Sequence, residues 1–215
     1  MSRLLRTAAL LALGAPALGC STGEGEGYVT SDRLFVEGCW NGYFSLEPSF
    51  FAAQPHLDES LMIRVQRGDG IEEVSDGLLV VIDDVTGIRT SRLGAPLNVG
   101  MPVGVAPSGF PIRPTADPPD VTLALYLQET CHLQNATLYS FGGEITFSSL
   151  FSGDPNEDNA EDRLTEATFS AKFADPRKAI PGLDNNVTFP PDVVSDVSGK
   201  FRFYFQRGQP AQRFP

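Results

Sequence analysis

The chain is poor in the side chains that most often carry chemistry. It has three Cys and two His in 215 residues, which leaves little material for a transition-metal site. Positive charge is also scarce: 16 Lys and Arg stand against 27 Asp and Glu, a formal net charge of −11. So acidic a surface offers no basic patch to displace counterions from phosphates, which argues against a nucleic-acid partner. No run approaches the roughly 18 apolar residues of a membrane-spanning helix. Capped helical periodicity is missing too, and 21 Gly and 17 Pro exclude a bundle of long helices. Gly-x-Ser-x-Gly, Gly-x-x-x-x-Gly-Lys-Ser/Thr and His-Glu-x-x-His do not occur, so the common hydrolase, nucleotide and zinc-protease templates find no match. What is present is apolar bulk. At 41% hydrophobic with 15 Phe, the chain has enough for a packed core, and global disorder is excluded.

The first twenty residues read as an address. Arg3 and Arg6 are followed by an apolar stretch from Ala8 to Leu18 and by small Gly19 before Cys20. Eleven apolar residues are too few to cross a bilayer and have the length of a signal-peptide core. Ala17-Leu18-Gly19-Cys20 resembles the lipobox of bacterial lipoprotein precursors, with Ala17 where that family more often carries Leu. The resemblance implies cleavage between Gly19 and Cys20, a diacylglycerol thioether on Cys20, and acylation of the new amine. Several acyl chains anchor stably where one binds only marginally. Ser21 after the Cys implies sorting to the outer membrane. The alternative is an ordinary secretory leader in which Cys20 is incidental. Loss of Arg3 and Arg6 with the leader takes the net charge from −11 to −13.

The expected organisation is a signal peptide over 1–19, a lipidated Cys20 with a flexible tether over 20–29, and one folded domain over 30–215. With Cys20 acylated, Cys39 and Cys131 remain as an even pair in an oxidising compartment and are expected to form a disulfide. The alternative is two buried free thiols packed as small apolar side chains.

Period-2 alternation dominates the rest. Leu61, Ile63 and Val65 alternate with Met62, Arg64 and Gln66; Leu123, Leu125 and Leu127 with Ala124, Tyr126 and Gln128; Phe201, Phe203 and Phe205 with Arg202, Tyr204 and Gln206. Leu78 to Ile82 reads as a central strand, and Ala167, Phe169, Ala171 and Phe173 share a face. Gly142-Gly143 reads as a two-residue hairpin turn between two strands, and Cys39 to Leu46 as an early strand. Eight strands or so predict an all-β, single antiparallel β-sandwich. Pro48 to Pro55 and the Pro-rich stretch Pro96 to Pro119 read as loops, the latter excluded from the sheet interior by its prolines. That long stretch serves either as a mobile functional loop or as a strap over a sheet edge.

One segment has the look of a cation loop. Asp154, Asn156 and Asp158 recur at every second residue, the opening rhythm of loops that wrap calcium, and Ala160 and Asp162 are placed to extend a shell. Asn159 and Thr165 stand where an EF-hand needs Gly and Glu, so the alternatives are a calcium loop on a β-hairpin or a solvated acidic turn. Asp83-Asp84 reads as a turn after a buried strand. Trp40, Tyr43, Phe44, Phe50 and Phe51 form an aromatic stretch that is either core or an exposed platform for glycans. His56 and His132 lie in no recognisable catalytic context. The expectation is therefore a lipid-anchored, non-enzymatic envelope protein with a binding or structural domain and an unidentified protein or glycan partner. A calcium-dependent ligand or adhesion module is the alternative, and an envelope hydrolase the third.

Overall fold

A computed structural model describes residues 25–56, 59–68, 70, 73–101, 119–181 and 187–206. The strands are β1 (Gly25–Val36), β2 (Trp40–Leu46), β3 (Phe50–His56), β4 (Ser60–Gln66), β5 (Asp76–Ile82), β6 (Pro96–Gly100), β7 (Val121–Leu127), β8 (Ala136–Ser149), β9 (Leu164–Ala174), β10 (Ile180–Pro181), β11 (Val187–Thr188) and β12 (Ser195–Tyr204). Strands make up 58% of the described residues and helix very little, so the all-β class holds.

The expectation of two stacked sheets is not met. Ten strands form one sheet in the order β2-β1-β12-β9-β8-β6-β7-β5-β4-β3, curled into a half-barrel, with β10 and β11 as a separate pair. The reason lies at the ends of that order. The two edge strands, β2 and β3, are consecutive in the chain and separated only by Glu47, Pro48 and Ser49. A sheet whose edges are joined by three residues must bend round on itself. The bend buries the alternating apolar face that a sandwich would bury against a second sheet. On one half, Leu61, Ile82 and Val121 stand in register, as do Ile63, Val80 and Leu123, and Val65, Leu78 and Leu125, all buried. Across the curl, Phe51 of β3 stacks on Phe203 of β12 with ring centroids 5.6 Å apart.

Four other expectations are corrected. Gly142-Gly143 is not a hairpin turn, because β8 runs through it unbroken with a register shift against β9 between Ser140 and Gly142. The pair forms a bulge: Gly143 has φ of +118°, and a Cβ there would lie 2.4 Å from the Ser170 carbonyl oxygen. The bulge sits at a fork in the sheet. Before it, β8 pairs with β7; after it, β8 pairs with β6, which also runs parallel to β7. Ser140 stitches the fork, its hydroxyl accepting from the Leu123 amide at 3.1 Å and donating to the Gly100 carbonyl at 3.2 Å. Second, the Pro-rich stretch does enter the sheet. Pro96 takes the first position of β6, where no ladder donor is needed, and 97–100 contain no proline. Residues 102–118 of that stretch lie outside the described residues. Third, Phe50 to His56 is an edge strand rather than a loop; Pro55 is tolerated because one side of β3 has no partner strand. Fourth, the sheet has ten strands, not about eight. One of the unexpected strands is β1, whose first residues, 25–29, fall within the expected tether.

The two outer faces differ. Behind β12, β9 and β1 the surface is charged and wet, with Lys172 paired to Asp196 at 3.1 Å and Lys200 to Glu166 at 3.0 Å. Behind β4, β5 and β7, Arg64, Gln66 and Tyr126 are buried. Tyr126 donates to Gln66 Oε1 at 2.8 Å, and the Arg64 guanidinium lies 5.3 Å from the Tyr126 ring centre. Burial pushes the Tyr126 hydroxyl far above its ordinary value, Arg64 opposing and nearby Asp76 adding to the shift.

The folded chain thus keeps the Tyr126 proton at a pH where the unfolded chain has lost it. The group leaves stability unchanged below about pH 10 and lowers it by about 1.4 kcal/mol per pH unit above. Tyr126→Phe should cost about 1–2 kcal/mol at pH 8, because it strands Gln66 Oε1. Urea unfolding at pH 8 and again near pH 11 should show the gap between variant and wild type narrowing or reversing at the higher pH.

Candidate functional site

A concave surface lies at the end of the sheet where β1 finishes. Three connections meet there. The β1–β2 turn brings Glu37 and Gly38, the turn after β7 brings Gln134, and the short 3-10 turn Pro176–Lys178 after β9 brings Arg177 and Lys178 beside Asp175. Together they enclose an open cleft of about 370 Å³. Its charges are arranged in pairs. Arg177 Nε lies 2.9 Å from both carboxylate oxygens of Asp175, and Nη2 lies 2.5 Å from Oδ2. Lys178 Nζ pairs with Glu37. The Asp175 hydrogen bond holds the Arg177 guanidinium even more firmly protonated than usual. Asp175 also caps its own turn, accepting from the Arg177 amide at 2.9 Å.

The cleft walls are tied together by the Cys39–Cys131 disulfide, whose Cα atoms lie 5.8 Å apart and whose cysteines are 92 positions apart in sequence. The expected pairing is present, and its place explains its use. Cys39 closes the β1–β2 turn at one edge of the sheet, while Cys131 lies in the turn after β7, six strands away in the order. The bond spans the mouth of the half-barrel. The Cys131 turn is set by Asp76, which is fully buried. Its Oδ1 accepts from the amides of Glu129 and Thr130 at 3.0 Å, and Oδ2 accepts from the Thr130 hydroxyl. Gly38, at φ +71°, lies so close to Gln134 that a Cβ would sit 2.7 Å from Nε2.

The acidic loop joins β8 to β9 at the opposite end. Its carboxylates are turned inward on their own backbone: Asp154 Oδ1 accepts from the Asn156 amide at 2.8 Å, and Glu157 Oε1 from the Asn159 amide at 3.0 Å. Asp162 accepts from Asn159 Nδ2 at 2.8 Å through one oxygen and meets Arg89 through the other. Asp158 and Ala160 are exposed. Among the described residues no group of three His, Cys, Asp or Glu side chains is placed to hold a metal ion.

The aromatic stretch divides. Phe44, Phe50 and Phe51 are buried, whereas Tyr43 is 62% exposed and Trp40 37%, and the two stand on an edge strand without forming a continuous platform. Asp84 caps the turn Val85–Gly87, accepting from the Gly87 amide at 2.7 Å, as a turn after a buried strand requires. Gly19 and Cys20 lie outside the described residues. Sequence reasoning missed the cleft, because its lining comes from three segments more than 30 residues apart. The one available signal was the pairing of Cys39 with Cys131, which names two of the three walls.

No protein-family model matches this chain, and comparisons with curated proteins and with solved structures return no match.

Breaking the tie tests the role given to it. In the chain-entropy account, a loop of this length is worth about 4–5 kcal/mol. The double variant Cys39→Ser/Cys131→Ser should lose most of that in urea unfolding. Non-reducing peptide mapping of wild type should recover the Cys39–Cys131 cross-link; two alkylatable thiols in the native protein would refute it.

Proposed function

We propose that this is a lipid-anchored envelope protein whose β-domain binds or scaffolds rather than catalyses. The observation that carries the reading is the division of the three cysteines. Cys39 and Cys131 take each other, which leaves Cys20 alone at the end of a leader-like segment, in the setting Ala17-Leu18-Gly19-Cys20. A disulfide inside the domain fits an oxidising compartment. Ser21 favours the outer membrane. The membrane is then one partner, through acylated Cys20, and the charged cleft is the place for a second, a protein or glycan.

Cys20→Ala tests the anchor. Labelling with a fatty-acid analogue should be lost, and the protein should move from the membrane to the soluble fraction. A variant that keeps its label and stays with the membrane would overturn the reading. The calcium-dependent alternative is tested separately by thermal melts of the protein in millimolar calcium and in chelator. A calcium-dependent rise in midpoint that vanishes in Asp154→Ala/Asp158→Ala would establish the loop as a site.

A further inference from the structure

The start of β1 is locked to the body of the domain. Gly25 stands opposite Phe203 and Gly27 opposite Phe201. A Cβ at Gly25 would lie 2.7 Å from Phe203 Cβ and from the Phe51 ring, and one at Gly27 2.7 Å from the Lys200 carbonyl oxygen. Only glycine lets the strand approach this closely, so the segment leading out of the domain leaves from a fixed point. Four residues, 21–24, separate that point from Cys20. Even fully extended, such a link spans no more than about 18 Å from Cα to Cα. Whatever surface surrounds Gly25 is therefore brought close to any lipid attached at Cys20.

Two surfaces lie within that reach. One is the acidic loop, held beside the end of β12 by the Phe205 amide donating to the Arg163 carbonyl at 2.8 Å. The other is the outer face of β1 and β12, where Tyr28 stands directly opposite Lys200, and Arg202 and Tyr204 follow at every second residue. Tyr28 is 49% exposed and Tyr204 37%, and the Arg202 guanidinium lies 5.5 Å from the Tyr204 ring centre. Charge decides between them. Lipid phosphates repel the carboxylates of Asp154, Glu157, Asp158 and Glu161. The tyrosine face carries balanced charge, because Glu166 pairs with Lys200 at 3.0 Å and lies 3.9 Å from Arg202 Nε, and Glu26 stands opposite Arg202. Its rings offer an apolar body and a hydroxyl to the headgroup layer without that repulsion.

We propose that the face carrying Tyr28, Lys200, Arg202 and Tyr204 rests on the phospholipid headgroups of the membrane in which Cys20 is anchored. This rests on the lipoprotein reading. It also fixes where the cleft points. β1 is 12 residues long, so Glu37 lies about 36–40 Å from Gly25 along the strand. The cleft then stays clear of the acyl anchor and open to the compartment.

The chain's single tryptophan supplies a reference, because Trp40 stands at the cleft end of β2. The lipidated full-length protein is reconstituted in phosphatidylcholine vesicles containing brominated phosphatidylcholine. Emission from the variant Tyr204→Trp in a Trp40→Phe background should fall by about half, while Trp40 of wild type stays nearly unquenched. Adding Lys200→Glu and Arg202→Glu should relieve the quenching, and Tyr28→Trp in the same background gives a second reporter on a neighbouring strand. A protein that floats with the vesicles while neither reporter is quenched more than Trp40 overturns the docking face and leaves the anchor standing. A protein that neither floats nor carries the acyl mass overturns the lipoprotein reading, and this inference with it.

Discussion

Ten strands with one apolar face have to keep that face from water, and the three-residue corner between β2 and β3 decides how. With the two edge strands joined at Glu47–Ser49, the sheet has no need of a second layer. Curling brings Phe51 over Phe203 and Gly25, so the first, third and last strands of the chain meet in one contact. The same curl removes the problem of a long exposed edge, because each free edge lies next to the corner from which the other begins. The fork at β6, β7 and β8 follows from the same need. The sheet takes in β6 at this point, where the Gly142-Gly143 bulge shifts the register and the Ser140 hydroxyl satisfies the Leu123 amide and the Gly100 carbonyl.

The disulfide closes what hydrogen bonds leave open. It binds the β1–β2 turn to the turn that Asp76 organises after β7, and it creates the cleft by holding the first wall against the second. The two ends of the molecule are therefore unlike. One carries the start of β1, the exposed tyrosines and the acidic loop; the other carries the disulfide and the paired charges of Glu37, Asp175, Arg177 and Lys178. Under the lipid anchor proposed above, that polarity places the attachment at one end and the charged cleft at the other.

Local pattern was legible wherever it was repeated. The alternation named Phe201 and Phe203 in β12 and one buried face in each of β4 and β7, because a period of two marks whichever face is apolar. It missed that Arg64, Gln66, Ala124 and Tyr126 on the opposite face are buried as well. It failed where one residue carries two meanings. Gly142-Gly143 is equally good at turning a chain back and at bulging a continuous strand, and only the presence of β6 and β9 on either side selects the bulge. Phe50 and Phe51 fall in a Pro-flanked segment that looks like a loop until the edge position of β3 makes Pro55 harmless. Gly25 and Gly27 look like a flexible lead. They are glycines because Phe51, Phe203 and the Lys200 backbone occupy the space of a side chain.

The sequence by itself determined the all-β class and made Cys39 and Cys131 the expected pair once Cys20 is set aside. Each depends on local composition or on counting, and neither needs a third dimension. The single curled sheet, the fork and the cleft were decided only by the tertiary structure. They depend on which strands become neighbours across long separations, a choice made by closing one apolar face against itself rather than by any segment's own propensity.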